Sequence, residues 1–290
     1  MATPEVSFQF SRTTRPAKER KFLRVSDGDT PVVEQSIRMV SCDTPEKSNY
    51  AGKPDKAQPK LDLCRDRLEN GFYDDIPKPL RDYFLDKLTP DAAQRHIDAA
   101  NDATDILKSL VEERLTKPNG SKRRMATIPT GELIDRYGRL LAYTAPWYGG
   151  SRNNDPLPPK GDPRRDTFNF NMIENGWAAF FPIYPSLPSN QDFNRAILAA
   201  EKAWSEKRGA WASYGENLLL AYEYRVCIKL AKEETASEGI RKAFQRVCVD
   251  LRSQKIVGKY GFYDVPPCYR MWVWLNDIEE AKENLNLLEE

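Results

Sequence analysis

Two short apolar runs open the regular text of the chain. "KFLRV" and "SIRMVSC" carry β-branched and long apolar residues on either side of the turn "SDGD", so residues 21–45 read as short strands. From Lys47 to Leu88 the pattern dissolves into Lys, Pro and Asp, with weak periodicity from Leu61 to Leu68. That text predicts an inserted loop with one short helix. Periodicity returns after Leu88. Thr89 can cap a helix whose first position is Pro90, and Ile97, Ala100, Thr104, Leu107 and Val111 follow at three-four spacing as one buried stripe. "MATIPTGELI" and "GRLLAYTA" predict a strand pair around "DRYG", and a long turn-rich loop follows at about 146–166.

"TFNFNMIENGWAAFF" begins as a helix and breaks at Gly176. A second helix starts at Asn190, with Phe193, Ile197, Ala200 and Trp204 on one face. After Ser213 the text changes character. "LLLAYEYRVCIKLAK" fits helix or strand, "RKAFQRVCVDLRS" and "YRMWVWLN" fit strands, and "NDIEEAKENLNLL" fits a capped helix with Ile278, Ala281, Leu285 and Leu288 in line. Residues 214–290 therefore read as a small C-terminal α+β annex.

Composition narrows the picture. The 290 residues, 40% hydrophobic and 30% charged, suit one large domain or a domain plus an annex. No run approaches the roughly eighteen apolar residues of a spanning helix, so no membrane association is expected. The first residues lack the basic-then-apolar order of a signal peptide, which points to the cytoplasm and leaves secretion by another route open. Five scattered cysteines, none in C-x-x-C spacing, suggest reduced thiols and argue against a zinc site or a disulfide scaffold. A net charge of +1 does not announce a nucleic-acid binder; the positive charge is local, in the N-terminal arm (1–20), at Lys122 to Arg124 and at Arg164 and Arg165. The single histidine, His96, reads as a residue on a helix surface or in a groove. A catalytic base must then be a carboxylate, a lysine, a tyrosine or a metal-bound water.

The chemistry concentrates in "RVSDGDTPVVEQSIRMVSCDTPE", which sets Asp27, Asp29, Asp43 and Glu46 around Arg38. Carboxylates on a turn and at a strand end can supply the oxygen ligands that Ca²⁺ or Mg²⁺ prefers. A planar guanidinium fork matches phosphate oxygens. The alternative is a strand–turn–strand with exposed acids.

"VSDGDT", "IRMVSCDTPE", "DRYGRLLAYT", "NMIENGWAAFFPIYP" and "AEKAWSEKRGAWAS" occur in the order seen in the thermonuclease-like (staphylococcal nuclease-like) family. The chain resembles that family over about residues 21–213. The resemblance implies a five-stranded OB-type barrel with packed helices, an insertion at about 47–88 and the annex beyond. It implies a Ca²⁺-dependent nuclease, with another divalent ion as an alternative, that cleaves DNA, and RNA as an open alternative, to 3′-phosphate and 5′-hydroxyl ends. In that reading Asp29, Asp43 and the Thr44 carbonyl hold the metal and Asp27 shapes its shell. Glu46 is the general base, and Arg38 and Arg139 hold the phosphate. Tyr137 and Tyr184 line the nucleotide site, which favours single-stranded or frayed substrate. Trp211 closes a C-terminal helix on the barrel. Local ion pairs for the arginines and core packing for the tyrosines are the competing readings.

The chain departs from the family in three places. The segment from Thr30 to Arg38 is shorter than the usual hairpin, the extra length at 47–88 lies beside the site, and Pro182 stands where a second tyrosine is common. The insertion and the annex are also candidate surfaces for a protein partner or a second copy. A nucleic-acid-binding or assembly module with little or no turnover is the alternative function.

Overall fold

In a computed structural model the described residues are 19–151 and 154–288, so the N-terminal arm expected at 1–20 lies outside them apart from its last two residues. The architecture is α+β. A hairpin of β1 (Phe22–Asp27) and β2 (Thr30–Val33) comes first, followed by β3 (Ile37–Met39) and β4 (Ser41–Asp43). Three helices fill the insertion: α1 (Ser48–Ala51), α2 (Pro54–Glu69) and α3 (Lys78–Lys87). Then come α4 (Ala92–Leu115), β5 (Arg124–Ile134), β6 (Leu140–Trp147), α5 (Phe168–Glu174), β7 (Ala179–Phe181), α6 (Asn190–Ser205) and α7 (Ala210–Tyr214). The remainder is α8 (Ala221–Lys232), α9 (Ala236–Ala243), β8 (Arg246–Asp250), β9 (Lys255–Ile256), β10 (Arg270–Trp274) and α10 (Ile278–Leu285).

The described strands do not close into the expected five-stranded barrel. They form four small sheets: β1–β2, β3–β6–β5, β4–β7 and β10–β8–β9. Two local causes are visible. Nearly every residue of β1 and β2 is exposed, Phe22, Leu23, Val25 and Val33 included, so the hairpin lays no apolar face on a core. The run from β3 to β4 breaks at Ser41, whose φ of 57° is uncommon for a residue with a side chain. Before the break β3 runs parallel to β6, with Arg38 opposite Leu141; after it β4 runs antiparallel to β7, with Asp43 opposite Ala179. The buried Asn169 of α5 holds the break by donating to the Val40 carbonyl (2.8 Å) while accepting from the Thr144 amide (3.0 Å).

The insertion is not a loop with one short helix. Ala57, Leu61, Cys64 and Leu68 fall on one buried face of α2, and Pro54 enters its first turn, where its missing N–H costs nothing. That face packs into one core with α3, α8 and the annex residues Phe244, Phe262 and Trp272. The insertion and the annex therefore cover each other's apolar surface. In α9 the approach is so close that a Cβ on Gly239 would collide with the Tyr73 hydroxyl. The annex is also stitched to the segment that follows β7: the Trp272 backbone donates to the Pro182 carbonyl and accepts from the Tyr184 amide, each at 2.9 Å. Helix α4 begins at Ala92, with Thr89 bonded to Asp91 ahead of it, slightly later than the Thr89–Pro90 start expected. Among the described residues no helix is long and apolar enough to cross a membrane, and all five cysteines are free and buried.

Candidate active site

Arg38 and Asp43 are five residues apart, so in an unbroken strand they would point to opposite faces. The break at Ser41 turns them together. Arg38 Nη2 donates to Asp43 Oδ1 at 2.5 Å, and the Asp43 side chain is 2% exposed. A second guanidinium reaches the same acid from the annex. Arg225, on α8, donates through Nη2 to Asp43 Oδ2 and through Nη1 to Glu46 Oε1, both at 2.6 Å. Burial pushes the Asp43 carboxyl up, but Arg225 and Arg38 together outweigh it and bring it down to about 2. Burial likewise opposes the charge on Arg225, and Asp43 and Glu46 overcome it, raising its pKa.

His96 is fully buried, not on a surface. Its Nε2 accepts the Glu46 backbone N–H at 2.7 Å, so the proton sits on Nδ1, which donates to the Leu219 carbonyl at 2.9 Å. The ring stacks on Tyr224 at 3.8 Å. Burial pushes its pKa down to about 3, with Arg225 adding to the effect. A neutral imidazole thus ties the Glu46 backbone to the start of the annex. It is a positioning residue, and only its isolation in the sequence marked it.

The turn from β5 to β6 supplies the rim. Asp135 grips Arg139 through the backbone amide (2.9 Å) and the guanidinium Nε (2.8 Å). Arg139 stands two residues ahead of Leu141, the register partner of Arg38. Tyr137 is 64% exposed and carries Arg136 and Arg139 against its ring, at 4.9 Å and 5.4 Å. Tyr50 of α1 closes the circle. Burial raises its hydroxyl pKa, and the charges of Arg225, Glu46 and Arg136 all reach it, as does Tyr137.

Other expected residues stand elsewhere. Asp27 and Asp29 lie on the exposed hairpin tip, where Asp29 accepts from the Thr30 hydroxyl at 3.1 Å. Tyr184 is packed in the annex core among Val247, Val249 and Met271, and its hydroxyl donates to Glu280 at 2.8 Å and accepts from Asn284 at 2.6 Å. It therefore does not line a nucleotide site; the annex sheet has taken its ring. Trp211 packs edge-on against Trp204 at 4.6 Å. Thr44 follows Asp43 directly at the end of β4 and is partly buried.

This donor set does not fit Ca²⁺ as it is arranged. Calcium takes six to eight oxygens, yet both Asp43 oxygens are engaged by guanidinium groups and Glu46 Oε1 by Arg225. Among the described residues no group of three or more His, Cys, Asp or Glu side chains gathers where it could hold a metal ion. What the site does offer is two guanidinium groups fixed on a buried acid, and a carboxylate beside them with 24% of its side chain exposed.

No curated protein matches this chain. The profile of the family described as staphylococcal nuclease homologue matches residues 36–213, a span that contains Arg38, Asp43, Glu46, Tyr137 and Arg139 and stops short of Arg225. Membership points to nuclease or nucleic-acid-binding function. With more than half its length matched and the conjunction of arginine and acids assembled as described, the chain belongs to the staphylococcal nuclease homologue family.

Proposed function

We propose that the protein is a nuclease that hydrolyses backbone phosphodiesters at the Arg38–Asp43–Glu46 cluster. The observation that carries this reading is the direct bonding of Arg38 to Asp43, with Glu46 joined to the same acid through Arg225. Arg38 commits one of its five donor positions to Asp43, and the others are available to phosphate oxygens. Among the described residues Glu46 Oε2 has no partner, which leaves it for a water. In the reaction the water oxygen bonds to phosphorus, Glu46 takes its proton, and the bond to the 5′-oxygen breaks. The leaving oxygen takes a proton from solvent, giving 3′-phosphate and 5′-hydroxyl ends. Negative charge grows on the phosphate oxygens as phosphorus becomes five-coordinate, and fixed guanidinium donors stabilise it there. Asp43 keeps them aimed.

The substrate is DNA, with RNA as an open alternative, and unpaired strands are favoured because Tyr137 offers an exposed ring on which a base can stack. The unit responsible comprises the segment 21–213, its insertion and the annex, since the annex supplies Arg225. Guanidinium groups hold both Asp43 oxygens and Glu46 Oε1, which leaves calcium only Glu46 Oε2 in this cluster. A second reading, nucleic-acid binding without turnover, is favoured by that same hold of Arg225 on both carboxylates. Incubating the purified chain with labelled single-stranded and duplex DNA and with RNA, with divalent ions or with chelator, separates the two. Cut strands support the nuclease, and retained but intact strands support the binder.

A further inference from the structure

Arg246 opens β8 with its guanidinium over the Trp274 ring at 3.9 Å and over Phe181 at 5.7 Å. Its Nε is buried and without a hydrogen-bond partner, and among the described residues no acid forms an ion pair with it. Arg225 lies over the other flank of this neighbourhood, 5.9 Å from the same Phe181 ring. Lys229 follows Arg225 by one turn of α8, partly buried and also without an acid partner among the described residues. Burial, with Arg225 next in weight, brings Arg246 down to about 10; burial, with Arg246 and Arg225, brings Lys229 down to about 8. Both remain protonated at neutral pH. Four cations (Arg38, Arg225, Lys229 and Arg246) thus share one neighbourhood with two carboxylates, Asp43 and Glu46.

Gathering partly desolvated cations without matching counter-charge is destabilising. The arrangement makes physical sense when an anion arrives to donors already oriented. A planar guanidinium backed by an aromatic face keeps its edge for a two-pronged contact, the geometry that suits phosphate. We propose that Arg246 and Lys229, beside Arg225, form an annex-borne pocket for a backbone phosphate of a single-stranded nucleic acid, next to the phosphate held by Arg38. This deepens the proposed function and rests on it. It also assigns the annex, outside the matched family segment, a direct part in holding substrate.

The test uses the full chain carrying Glu46→Gln, so that a fluorescein-labelled short oligothymidylate stays whole, and reads affinity by anisotropy across a salt series. Adding Arg246→Met, which keeps the packing on Trp274 and drops the charge, is expected to weaken binding about tenfold and to lower the salt slope by about 1. The melting temperature should hold or rise, because an unbalanced cation is gone; a residue with a merely structural role would lower it and leave the salt slope alone. Lys229→Gln should also lower the slope by about 1. If Arg246→Met fails to fold, Arg246→Lys replaces it, with a smaller loss of affinity and an unchanged slope. Equal affinity and slope in the neutral variants overturns the pocket, as does absence of binding by the Glu46→Gln parent. Binding that depends on Arg246, together with no cleavage by the native chain, would sustain the pocket and defeat the nuclease reading.

Discussion

Helix α8 builds two acid–base networks from residues two positions apart, and they differ in closure. Glu223 is fully buried, and every group around it is answered: it accepts from Tyr83 (2.5 Å), Lys87 (2.8 Å), Arg270 (2.9 Å) and the Leu220 amide (3.1 Å). Burial would raise its carboxyl, but Lys87 and Arg270 bring it to about 2. That network joins the insertion to the annex and has no opening. Arg225, on another face of the helix, leads to the second network, where Asp43 is as buried but Arg38 is 32% exposed and Arg246 and Lys229 lack acids. The same residue types make a sealed joint in one place and a charged, open cluster in the other. Positive charge in excess of its acid partners is the mark of the second.

Breaking the sealed network should have the largest effect on stability. Glu223→Ala leaves Lys87 and Arg270 buried without a counter-charge and is expected to destabilise by about 3–5 kcal/mol in urea unfolding; a loss under about 1 kcal/mol would show that water reaches the pair. The open network should respond in activity instead. Arg38→Ala removes one fixed donor while Arg225 still pairs Asp43, so cleavage of a single-stranded oligonucleotide should fall by about 10²–10³-fold in kcat. A fall in unfolding midpoint with unchanged kcat would place Arg38 in the sealed class.

Acidification reaches His96 before the carboxylates of either network. His96 has a folded pKa of about 3 against 6.5 unfolded, so the folded chain binds fewer protons and stability present above pH 6.5 is lost as pH falls toward 3. The slope from this one group reaches at most about 1.4 kcal/mol per pH unit. Asp43 and Glu223, depressed to about 2 from 3.8 and 4.5, add their loss only below those unfolded values. Urea midpoints measured at successive pH values should therefore begin to fall near pH 6.5 in the native chain. In His96→Gln the fall should begin near pH 4.5, and coincident curves would contradict the role given to the imidazole.

The smallest expected effect concerns metal. Arg225→Ala releases Asp43 Oδ2 and Glu46 Oε1, and calorimetry should show Ca²⁺ binding strengthened by about tenfold or more. Equal affinity would mean that Arg225 does not compete for those oxygens.

The Arg38–Glu46 stretch was legible because the acids and the arginine lie within nine positions and the break at Ser41 only had to turn them. Arg225 was not. It lies 179 residues from Glu46, in a run whose apolar residues surround the helix almost completely, so periodicity could not tell helix from strand there. The available signal was Arg225 and Lys229 at four-residue spacing, two cations inside a mostly apolar stretch that also carries Glu223 and Lys232. In the insertion, Lys and Pro on the exposed faces hid an apolar stripe at Ala57, Leu61, Cys64 and Leu68, which is buried in one core with α8. Tyr184 shows the limit of transfer by motif: the motif implied a ring lining a nucleotide site, and an annex absent from the motif packs over it.

Water attack on phosphorus at the Arg38–Asp43–Glu46 cluster would leave its mark on the product ends. The direct measurement is cleavage of a single-stranded oligonucleotide in heavy-oxygen water, followed by mass analysis of the ends. Heavy oxygen is expected on the new 3′-phosphate and none on the 5′-hydroxyl, with product lost in Glu46→Gln. Intact strands, label on the 5′ side, or full activity in Glu46→Gln would contradict it.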